Sequence, residues 1–304
     1  MSSQHEPNQQ RHLVVIADDF GIGPGTSEGI LRLSQRGLVT GSVLLVNSPH
    51  AEAAVRAWKR AGARLELGWH PCLTLDRPIS SAGSVPSLIQ KDGTFWPLGA
   101  FLKKLFFGRI STTEIECELR AQLRRFRELV GQPPSLVNAH HHVNVFHPID
   151  CILLGLLRGI QPLPFLRRVR EPWPMLWRVS GARKKRILLN VLGRRLAGWQ
   201  AALGFPGAEC LMGITDPRWI GDPRFLVRWL ERTSSATVEL TCHPGLADET
   251  LAGRDTEDGL MQRRVAEYAL LEHESFLAAC HRAGLKLVTA GELSRLQAGK
   301  KHAA

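Results

Sequence analysis

A short apolar run that ends at two adjacent carboxylates constrains the fold more than any other stretch of this chain. Residues 13–17 are apolar and mostly β-branched, and Asp18 and Asp19 follow them directly. Such a run fits a parallel strand buried on both faces, and catalytic groups collect beyond the C-terminal ends of such strands. Asp18 and Asp19 are therefore candidates for a metal ligand and a general base. One of them also fits the N-cap of a helix that begins near Pro24, and the sequence leaves both interpretations open.

Apolar runs recur along the 304 residues with helical patterns between them. This alternation is typical of repeated βα units, and it predicts an α/β, barrel-like fold of seven or eight mostly parallel strands. The predicted strands are 13–17, 42–46, 65–69, 136–139, 165–169, 237–241 and 285–289, with 210–214 as the eighth. The predicted helices are 25–35, 51–60, 113–130 and 260–283, and a glycine lies just beyond each. Thr113 and Glu116 have the spacing of a capping box for the third helix.

The chain is expected to form a single domain over residues 11–296, with a disordered polar N-terminus at 1–10 and a tail at 297–304. No apolar run reaches the roughly 18 residues of a membrane span, and the N-terminus lacks the apolar segment of a signal peptide. We therefore expect a cytoplasmic protein. Its six cysteines are scattered without a Cys-x-x-Cys pair, which predicts reduced and mostly buried thiols.

The formal net charge of +11 is concentrated in a basic segment at about 158–205, which also contains three tryptophans. Between Arg158 and Gln200 there are eleven basic residues, and Glu171 is the only acidic one. The second half predicts an amphipathic helix with an apolar face formed by Ile187, Leu188, Val191, Leu192, Leu196 and Trp199. Such a helix fits an anionic membrane surface, here the inner face, and equally a core helix with a solvated basic face. Nucleic acid is not an expected partner, because no recognised binding module accompanies the charge.

Three further predicted strands run into histidine, at His70, at His140 and at His243. A single histidine at such a place is more often structural, and the His140-His-His142 run also fits a solvated loop. If the strands are parallel neighbours, however, Asp19, His70 and one histidine of that run converge at one end of the sheet. Two imidazoles and one carboxylate with open positions form a recurrent catalytic metal site, whose ligand softness suits zinc or another transition metal.

Six short motifs occur in order along the chain and together resemble the YdjC-like carbohydrate deacetylases. They are Ala17-Asp-Asp-Phe-Gly21, Gly37-Leu-Val-Thr-Gly-Ser42, Val46-Asn47, Gly68-Trp-His70, His140-His-His-Val143 and Cys242-His-Pro244. The resemblance spans about Arg11 to Leu293. It implies a (β/α) barrel-like fold similar to the polysaccharide deacetylases, and a divalent metal, with magnesium favoured over zinc.

Carried over by position, the resemblance also implies roles for individual residues. It makes Asp19, His70 and His140 the metal ligands, Asp18 the base and His243 the acid. Arg264 and Glu267 match an Arg-x-x-Glu helix that supports the site. His142 and Arg170 are further candidates for contacting the substrate or supporting the site.

The chain departs from the family pattern at the fourth strand. Leu136, Asn138 and Asn144 stand where the family usually has His, Asp and His. A carboxylate normally orients a ligand imidazole, so the loss of the Asp predicts that Asn138 orients His140 by hydrogen bonding.

These groups permit metal-assisted amide hydrolysis, in which Asp18 takes a proton from water and His243 protonates the departing amine. Within the family, the basic segment resembles the hopanoid-biosynthesis branch (HpnK-like). That resemblance implies an N-acetylglucosaminyl hopanoid, a glycolipid, as the substrate. A chitooligosaccharide deacetylase and a non-catalytic carbohydrate- or lipid-binding barrel are the alternatives.

Overall fold

A computed structural model describes residues 10–215, 217–252, 254 and 260–303. It contains the eight predicted strands, which confirms the α/β, barrel-like fold. They are β1 (Arg11–Phe20), β2 (Gly41–Leu44), β3 (Glu66–Trp69), β4 (Leu136–Val137), β5 (Phe165–Leu166), β6 (Cys210–Met212), β7 (Thr237–Cys242) and β8 (Leu285–Leu287).

All the strand pairings between these eight elements are parallel, and the order across the sheet is β5-β4-β3-β2-β1-β7-β6. β8 pairs with the first residues of β1, whereas β2 pairs with its later residues. Each edge strand also donates a backbone hydrogen bond to the chain near the other edge. The amide of Leu166 in β5 donates to the Pro206 carbonyl, and the amide of Leu211 in β6 donates to the Arg170 carbonyl, both at 2.8 Å. These bonds bring the two edges of the sheet together, so the strands surround a common centre.

Twelve helices accompany the strands in the part of the chain that the structure describes. They are α1 (Pro24–Gln35), α2 (Ala51–Arg60), α3 (Leu98–Phe106), α4 (Thr112–Val130), α5 (Ile149–Leu157), α6 (Trp173–Arg178), α7 (Arg183–Ala202), α8 (Pro217–Ile220), α9 (Phe225–Arg232), α10 (Leu260–Glu272), α11 (Glu274–Arg282) and α12 (Ala290–Ala303). None of the described helices is long and apolar enough to cross a membrane.

Two predicted helix features are wrong. The predicted helix at 260–283 is interrupted at His273, whose ring nitrogen accepts a hydrogen bond from the Ser275 amide and starts α11. The predicted capping box of Thr113 and Glu116 is not formed, because α4 begins after Ser111 without a side-chain cap. Both outcomes depend on the local backbone path at a helix end, which apolar periodicity does not determine.

The C-terminal helix α12 continues past residue 297, through the segment predicted to be a tail. The side-chain amide of Gln297 donates to the carbonyl of Gly207 at 2.9 Å, which ties this helix to the loop before β6. Residues 1–9 of the predicted disordered N-terminus lie outside the described residues.

The centre of the sheet is the dry core of the molecule. Residues 13–17 of β1 are fully buried, as expected of a strand covered on both faces. The six cysteines are free thiols, four buried and two exposed, which confirms the prediction made from their spacing.

Helix α7 divides its apolar residues between the core and the solvent. Leu189 and Leu196 pack into the core. In contrast, Leu188, Val191 and Trp199 are 55%, 54% and 40% exposed. The predicted helix is present, but its apolar residues do not form one face, because Leu196 is buried whereas these three residues are exposed.

Polar contacts fix α7 in this orientation. Arg186 is almost fully buried, and its Nε donates to a carboxylate oxygen of Glu171 at 3.0 Å. A Cβ on Gly193 would lie 1.9 Å from the carbonyl oxygen of Val169, so only glycine allows this close approach of the helix to the chain after β5. The basic segment therefore includes barrel structure as well as surface.

Candidate active site

The side chains singled out at strand ends meet in one pocket at the C-terminal ends of the parallel strands. Asp18 and Asp19 end β1, His70 follows β3, His140 follows β4 and His243 follows β7, and all five line the pocket. Because the strands are parallel neighbours, their C-terminal ends open onto the same face of the barrel.

An irregularity in β1 allows two consecutive carboxylates to point into this pocket. Side chains normally alternate between the faces of a strand. The pairing of β1 with β2 shifts register between Ala17 and Phe20, and Asp19 has a left-handed backbone with φ of 64°. The bulge turns the side chains of Asp18 and Asp19 to the same side.

Asp19, His70 and His140 form a group that we call the metal triad. One carboxylate oxygen of Asp19 lies 3.2 Å from Nε2 of His70 and 3.0 Å from Nδ1 of His140, and the two nitrogens are 3.3 Å apart. Two ligand atoms that bind one ion at 2.0–2.2 Å lie roughly 2.9–3.5 Å apart. The spacing and chemistry of the triad therefore fit a single divalent ion.

Neighbouring groups hold the triad in this arrangement. Nδ1 of His70 lies 2.8 Å from the carbonyl oxygen of Asn138, a bond in which the ring donates and leaves Nε2 as the ligand atom. The other carboxylate oxygen of Asp19 accepts a 2.6 Å hydrogen bond from Arg264. Burial raises the pKa of Asp19, but Arg264 and then His140 lower it more, so the net pKa is well below the usual range.

Asp18 lies beside the triad and is bound by three other side chains. Arg167 donates to both of its carboxylate oxygens, at 2.6 and 2.8 Å. Asn138 donates at 3.2 Å and the Thr241 hydroxyl at 3.1 Å. Burial raises the pKa of Asp18, but the Arg167 guanidinium outweighs it and lowers the pKa well below the usual range. Asp18 is therefore a carboxylate at neutral pH.

Arg167 is shared between Asp18 and a second buried acid. Its Nε donates to Glu239 at 2.6 Å, and Arg167 and Glu239 are 2% and 1% exposed. Burial is the largest influence on the pKa of Glu239 and raises it despite this contact. One buried guanidinium thus balances two buried carboxyl groups.

His243 also lies beside Asp18, and it is partly open to solvent. Its Nε2 is 3.9 Å from Asp18, and its Nδ1 is 3.8 Å from Glu267 and 3.3 Å from Arg263. Burial raises the pKa of Glu267, but Arg263 followed by His243 lowers it more, to about 2. Glu267 is therefore an ionised carboxylate beside the imidazole of His243.

His141 and His142 follow the triad ligand His140 and adopt left-handed backbone conformations, with φ of 54° and 55°. Nδ1 of His141 lies 2.9 Å from the hydroxyl of Thr74, and both histidines line the pocket. Burial lowers the pKa of both well below the usual range, so both are neutral at physiological pH. The run is therefore part of the pocket, and the interpretation as a solvated loop is wrong.

The helix-cap interpretation of Asp18 and Asp19 is also wrong. The residue before α1 is Gly23, without a side-chain cap of its own. A carboxylate oxygen of Asp248 instead accepts from the amide of Gly25 at 2.7 Å. Asp18 and Asp19 therefore line the pocket and do not cap α1.

Two of the remaining site residues lie apart from the contacts expected of them. Arg170 does not line the pocket, although Arg167 of the same segment reaches Asp18. The side chain of Asn138 bonds Asp18, and not His140 as expected.

The sequence reasoning missed several residues of the site. They are Arg167, Glu239, Thr241, Thr215, Arg263 and Lys185. Arg167 directly follows the apolar run of β5, so the rule that singled out the histidines would have found it. Lys185 enters the pocket from α7, which no strand-end rule predicts.

A second group of metal-binding residue types lies at the start of α5. His147, Asp150 and Cys151 have ligand atoms close together, with Nδ1 of His147 3.3 Å from Asp150. The Asp150 carboxylate already accepts from Arg195 at 2.9 Å and from the Cys151 amide at 2.8 Å. His147 and Cys151 are exposed, and the Asp150 oxygen nearest to His147 already accepts from the Cys151 amide, so this group is less well organised to hold an ion than the buried metal triad.

Comparison with known proteins gives relatives along nearly the whole chain. A family model described as YdjC-like protein matches residues 12–282. A carbohydrate deacetylase of Geobacillus stearothermophilus is 31% identical over 94% of this chain and 99% of its own length. A carbohydrate deacetylase of Mus musculus is 40% identical over 79% of this chain and 80% of its own. A chitooligosaccharide deacetylase of Serratia marcescens is 29% identical over 80% and 85%.

Among solved structures, a putative cellobiose-phosphate cleavage protein from Enterococcus faecalis V583 superposes with a TM-score of 0.74. It is 23% identical and covers 93% of this chain and 99% of its own. At this identity the likeness concerns the fold, and it agrees with the barrel described above.

Proposed function

This chain belongs to the YdjC-like protein family, and we propose that it is a metal-dependent hydrolase that removes the acetyl group from an N-acetylated amino sugar. The observation that carries the proposal is that one pocket combines a metal triad with a further carboxylate and a further imidazole. Relatives named carbohydrate deacetylase and chitooligosaccharide deacetylase support the reaction. Hydrolysis of the acetamide adds water across the C–N bond and yields acetate and a free amine.

In this proposal Asp19, His70 and His140 hold one divalent ion. Such an ion supplies Lewis-acid chemistry, since it polarises the acetyl carbonyl and makes water more acidic. Family resemblance favours magnesium, whereas two imidazoles and one carboxylate also suit zinc. Restoring the metal-depleted protein with each ion separately decides between them.

We assign the role of general base to Asp18. It is ionised, it lies beside the triad, and its hydrogen bonds to Arg167, Asn138 and Thr241 fix its orientation. A carboxylate held in this way accepts the proton that the attacking water loses as the C–O bond forms. Arg167 lowers its proton affinity, so the proton is readily passed on.

We assign the role of general acid to His243. It is partly exposed, and its Nδ1 lies 3.8 Å from the carboxylate of Glu267. Its Nε2 faces Asp18 across the pocket at 3.9 Å, so a nitrogen of the substrate's acetamide fits near both groups. Protonation by His243 lets the nitrogen leave as a neutral amine when the C–N bond breaks.

The finer proposal is that the sugar is an N-acetylglucosamine carried by a lipid, an N-acetylglucosaminyl hopanoid by resemblance. Its support in the structure is the apolar surface of the basic segment, where Trp173 is 45%, Trp177 64% and Leu188 55% exposed. Tryptophan beside basic side chains suits a peripheral position at a membrane surface. A soluble chitooligosaccharide is the alternative substrate, which the names of several relatives favour.

Mass spectrometry of the products tests the proposal. Wild-type protein with added metal should convert an N-acetylchitooligosaccharide or an N-acetylglucosaminyl lipid to the free amine, and His140→Ala should not. Cys151→Ala, an exposed thiol outside the pocket, is the matched control and should retain activity. If no acetylated amino sugar loses its acetyl group with any divalent metal, the deacetylase proposal fails and a carbohydrate-binding role takes precedence.

A further inference from the structure

A turn between α6 and α7 borders the mouth of the catalytic pocket. We call residues 180–185 the mouth turn. Its residue Lys185 lines the catalytic pocket and also a neighbouring cavity of about 590 Å³, which is bounded by the rest of the mouth turn and by Trp219. The two cavities therefore share a wall, and a group bound at the mouth turn lies next to the site of chemistry.

The mouth turn concentrates positive charge, with three consecutive basic residues. Arg183, Lys184 and Lys185 are the first three residues of α7, and the first turn of this helix has no acidic residue. Neither lysine forms an ion pair with the residues that the structure describes. The N-terminus of a helix is the positive end of its dipole, so three cations there repel it and an anion would relieve the repulsion.

A buried hydroxyl at the same place points independently to a ligand. Thr215 is 4% exposed and lines the catalytic pocket, and its Oγ1 has no hydrogen-bond partner among the residues that the structure describes. Gly181 has φ of +106°, and a Cβ there would lie 2.5 Å from this Oγ1. Glycine thus lets the mouth turn pack against one side of Thr215, which also lines the catalytic pocket together with Lys185. A buried hydroxyl without a partner is costly, and an anionic oxygen would satisfy it.

An aromatic rim indicates the source of the anion. Trp177, at the end of α6, is 64% exposed, and the guanidinium of Arg183 lies 5.4 Å from its ring. Binding a soluble anion does not require an exposed indole. An indole beside cations, in contrast, is the arrangement that binds at the headgroup level of a membrane.

We propose that the mouth turn binds the phosphate of an anionic phospholipid, with Lys184, Lys185 and the Thr215 hydroxyl as its contacts. The inference rests on the proposed function, because it gives the pocket a lipid-linked substrate to receive. With a phosphate at the mouth turn, Trp177 enters the headgroup layer. The catalytic pocket then opens toward the membrane, and a sugar carried by a lipid reaches the metal triad without leaving the bilayer.

Vesicle co-sedimentation tests the proposal, with phosphatidylglycerol vesicles compared with phosphatidylcholine vesicles. Wild type should bind the anionic vesicles more tightly. The double variant Lys184→Met/Lys185→Met should bind them about tenfold or more weakly, as expected for the loss of two cations near an anionic surface. Arg158→Gln, which removes an exposed charge of the same segment away from the mouth turn, is the matched control and should change binding much less.

Soluble glycerol phosphate, a headgroup without its lipid, gives the second measurement. It should compete with anionic vesicles for wild type, and Thr215→Val, which keeps the side-chain shape and all charges, should bind it several-fold more weakly. Vesicle binding that is unchanged in the double variant, or equal for both lipids, would overturn the proposal. Binding of glycerol phosphate without vesicle binding would overturn the membrane source and leave a site for soluble phosphate.

Acetate release from a soluble N-acetylchitooligosaccharide separates this inference from the proposed function. If no protein releases acetate but the double variant loses vesicle binding, the deacetylase proposal fails and the phospholipid site stands. If wild type and Arg158→Gln release acetate but vesicle binding does not depend on the mouth turn, the deacetylase proposal stands and the phospholipid site fails.

Discussion

Two regions of this protein are rich in basic side chains, but they use them in opposite ways. In the barrel, Arg167 and Arg264 are 2% and 1% exposed, and each binds a carboxylate at the end of β1. At the mouth turn, Arg183, Lys184 and Lys185 are exposed. The buried cations fix two acids whose positions the chemistry needs, whereas the exposed cations keep their charge available for a ligand.

Burial explains the contrast. A charge inside a protein must be paired, because an unpaired one costs several kcal/mol. Each barrel arginine is therefore a permanent part of the structure. A charge in water costs little when it is unpaired, so the mouth turn tolerates its three cations.

The largest expected difference between the barrel and the mouth turn is in catalysis. It concerns Asp18, the carboxylate that Arg167 holds in the barrel. Asp18→Asn should lower kcat by about 10²–10⁴-fold, because it removes a proton acceptor of the transition state. Metal binding by the triad should persist, since Asp18 is not a member of it. Kinetics combined with metal analysis checks both points. An Asp18→Asn protein with wild-type kcat would remove this residue from the mechanism.

The next effect is on stability. Arg167→Met leaves the carboxyl groups of Asp18 and Glu239 buried without their cation, and should lower the free energy of unfolding by about 3–5 kcal/mol. Lys184→Met at the mouth turn should change it by less than about 0.5 kcal/mol. Urea unfolding of the two variants with the same metal present measures the difference. Similar values would mean that the two regions do not differ as described.

The smallest effect is a pH dependence of stability that belongs to Glu267. Its pKa is lowered to about 2 in the folded protein from a usual value of 4.5, so its stabilising effect is complete above the usual value. That effect, about 3 kcal/mol, should be lost as the pH falls through the interval between these values. Comparing Glu267→Gln with wild type across this interval isolates the group. Parallel pH curves for the two proteins would contradict the lowered pKa.

The strands of the barrel could be predicted because each is a compact apolar run, and a run buried on both faces leaves little choice of conformation. Grouping Asp19 and His70 with one histidine of the 140–142 run followed from the same reasoning, since parallel strands place their C-terminal ends together, and the choice of His140 came from the family resemblance. That reasoning could not predict the left-handed backbone of Asp19. The bulge arises from the pairing of β1 with β2, a contact distant in sequence.

The basic segment was predicted less well because its pattern is compatible with more than one orientation. Leu188 and Leu189 have the same hydropathy, yet Leu188 is 55% exposed and Leu189 is 6% exposed. The orientation of α7 decides which leucine is buried. That orientation follows from two tertiary contacts, the Arg186–Glu171 ion pair and the close approach of Gly193 to the Val169 carbonyl. For the same reason, the net charge of the segment overstated its free charge, because Arg167 and Arg186 are buried in ion pairs.

The central claim is that one divalent ion held by Asp19, His70 and His140 is required for hydrolysis. A titration of metal into the metal-depleted protein, with acetate release from an N-acetylchitooligosaccharide followed at each step, tests it directly. We expect acetate release to rise with occupancy of one site. His140→Ala should abolish metal binding and release, whereas His147→Ala, in the second group of metal-binding residue types, should preserve both. Full release by the metal-depleted protein, or undiminished metal binding and release by His140→Ala, would contradict it.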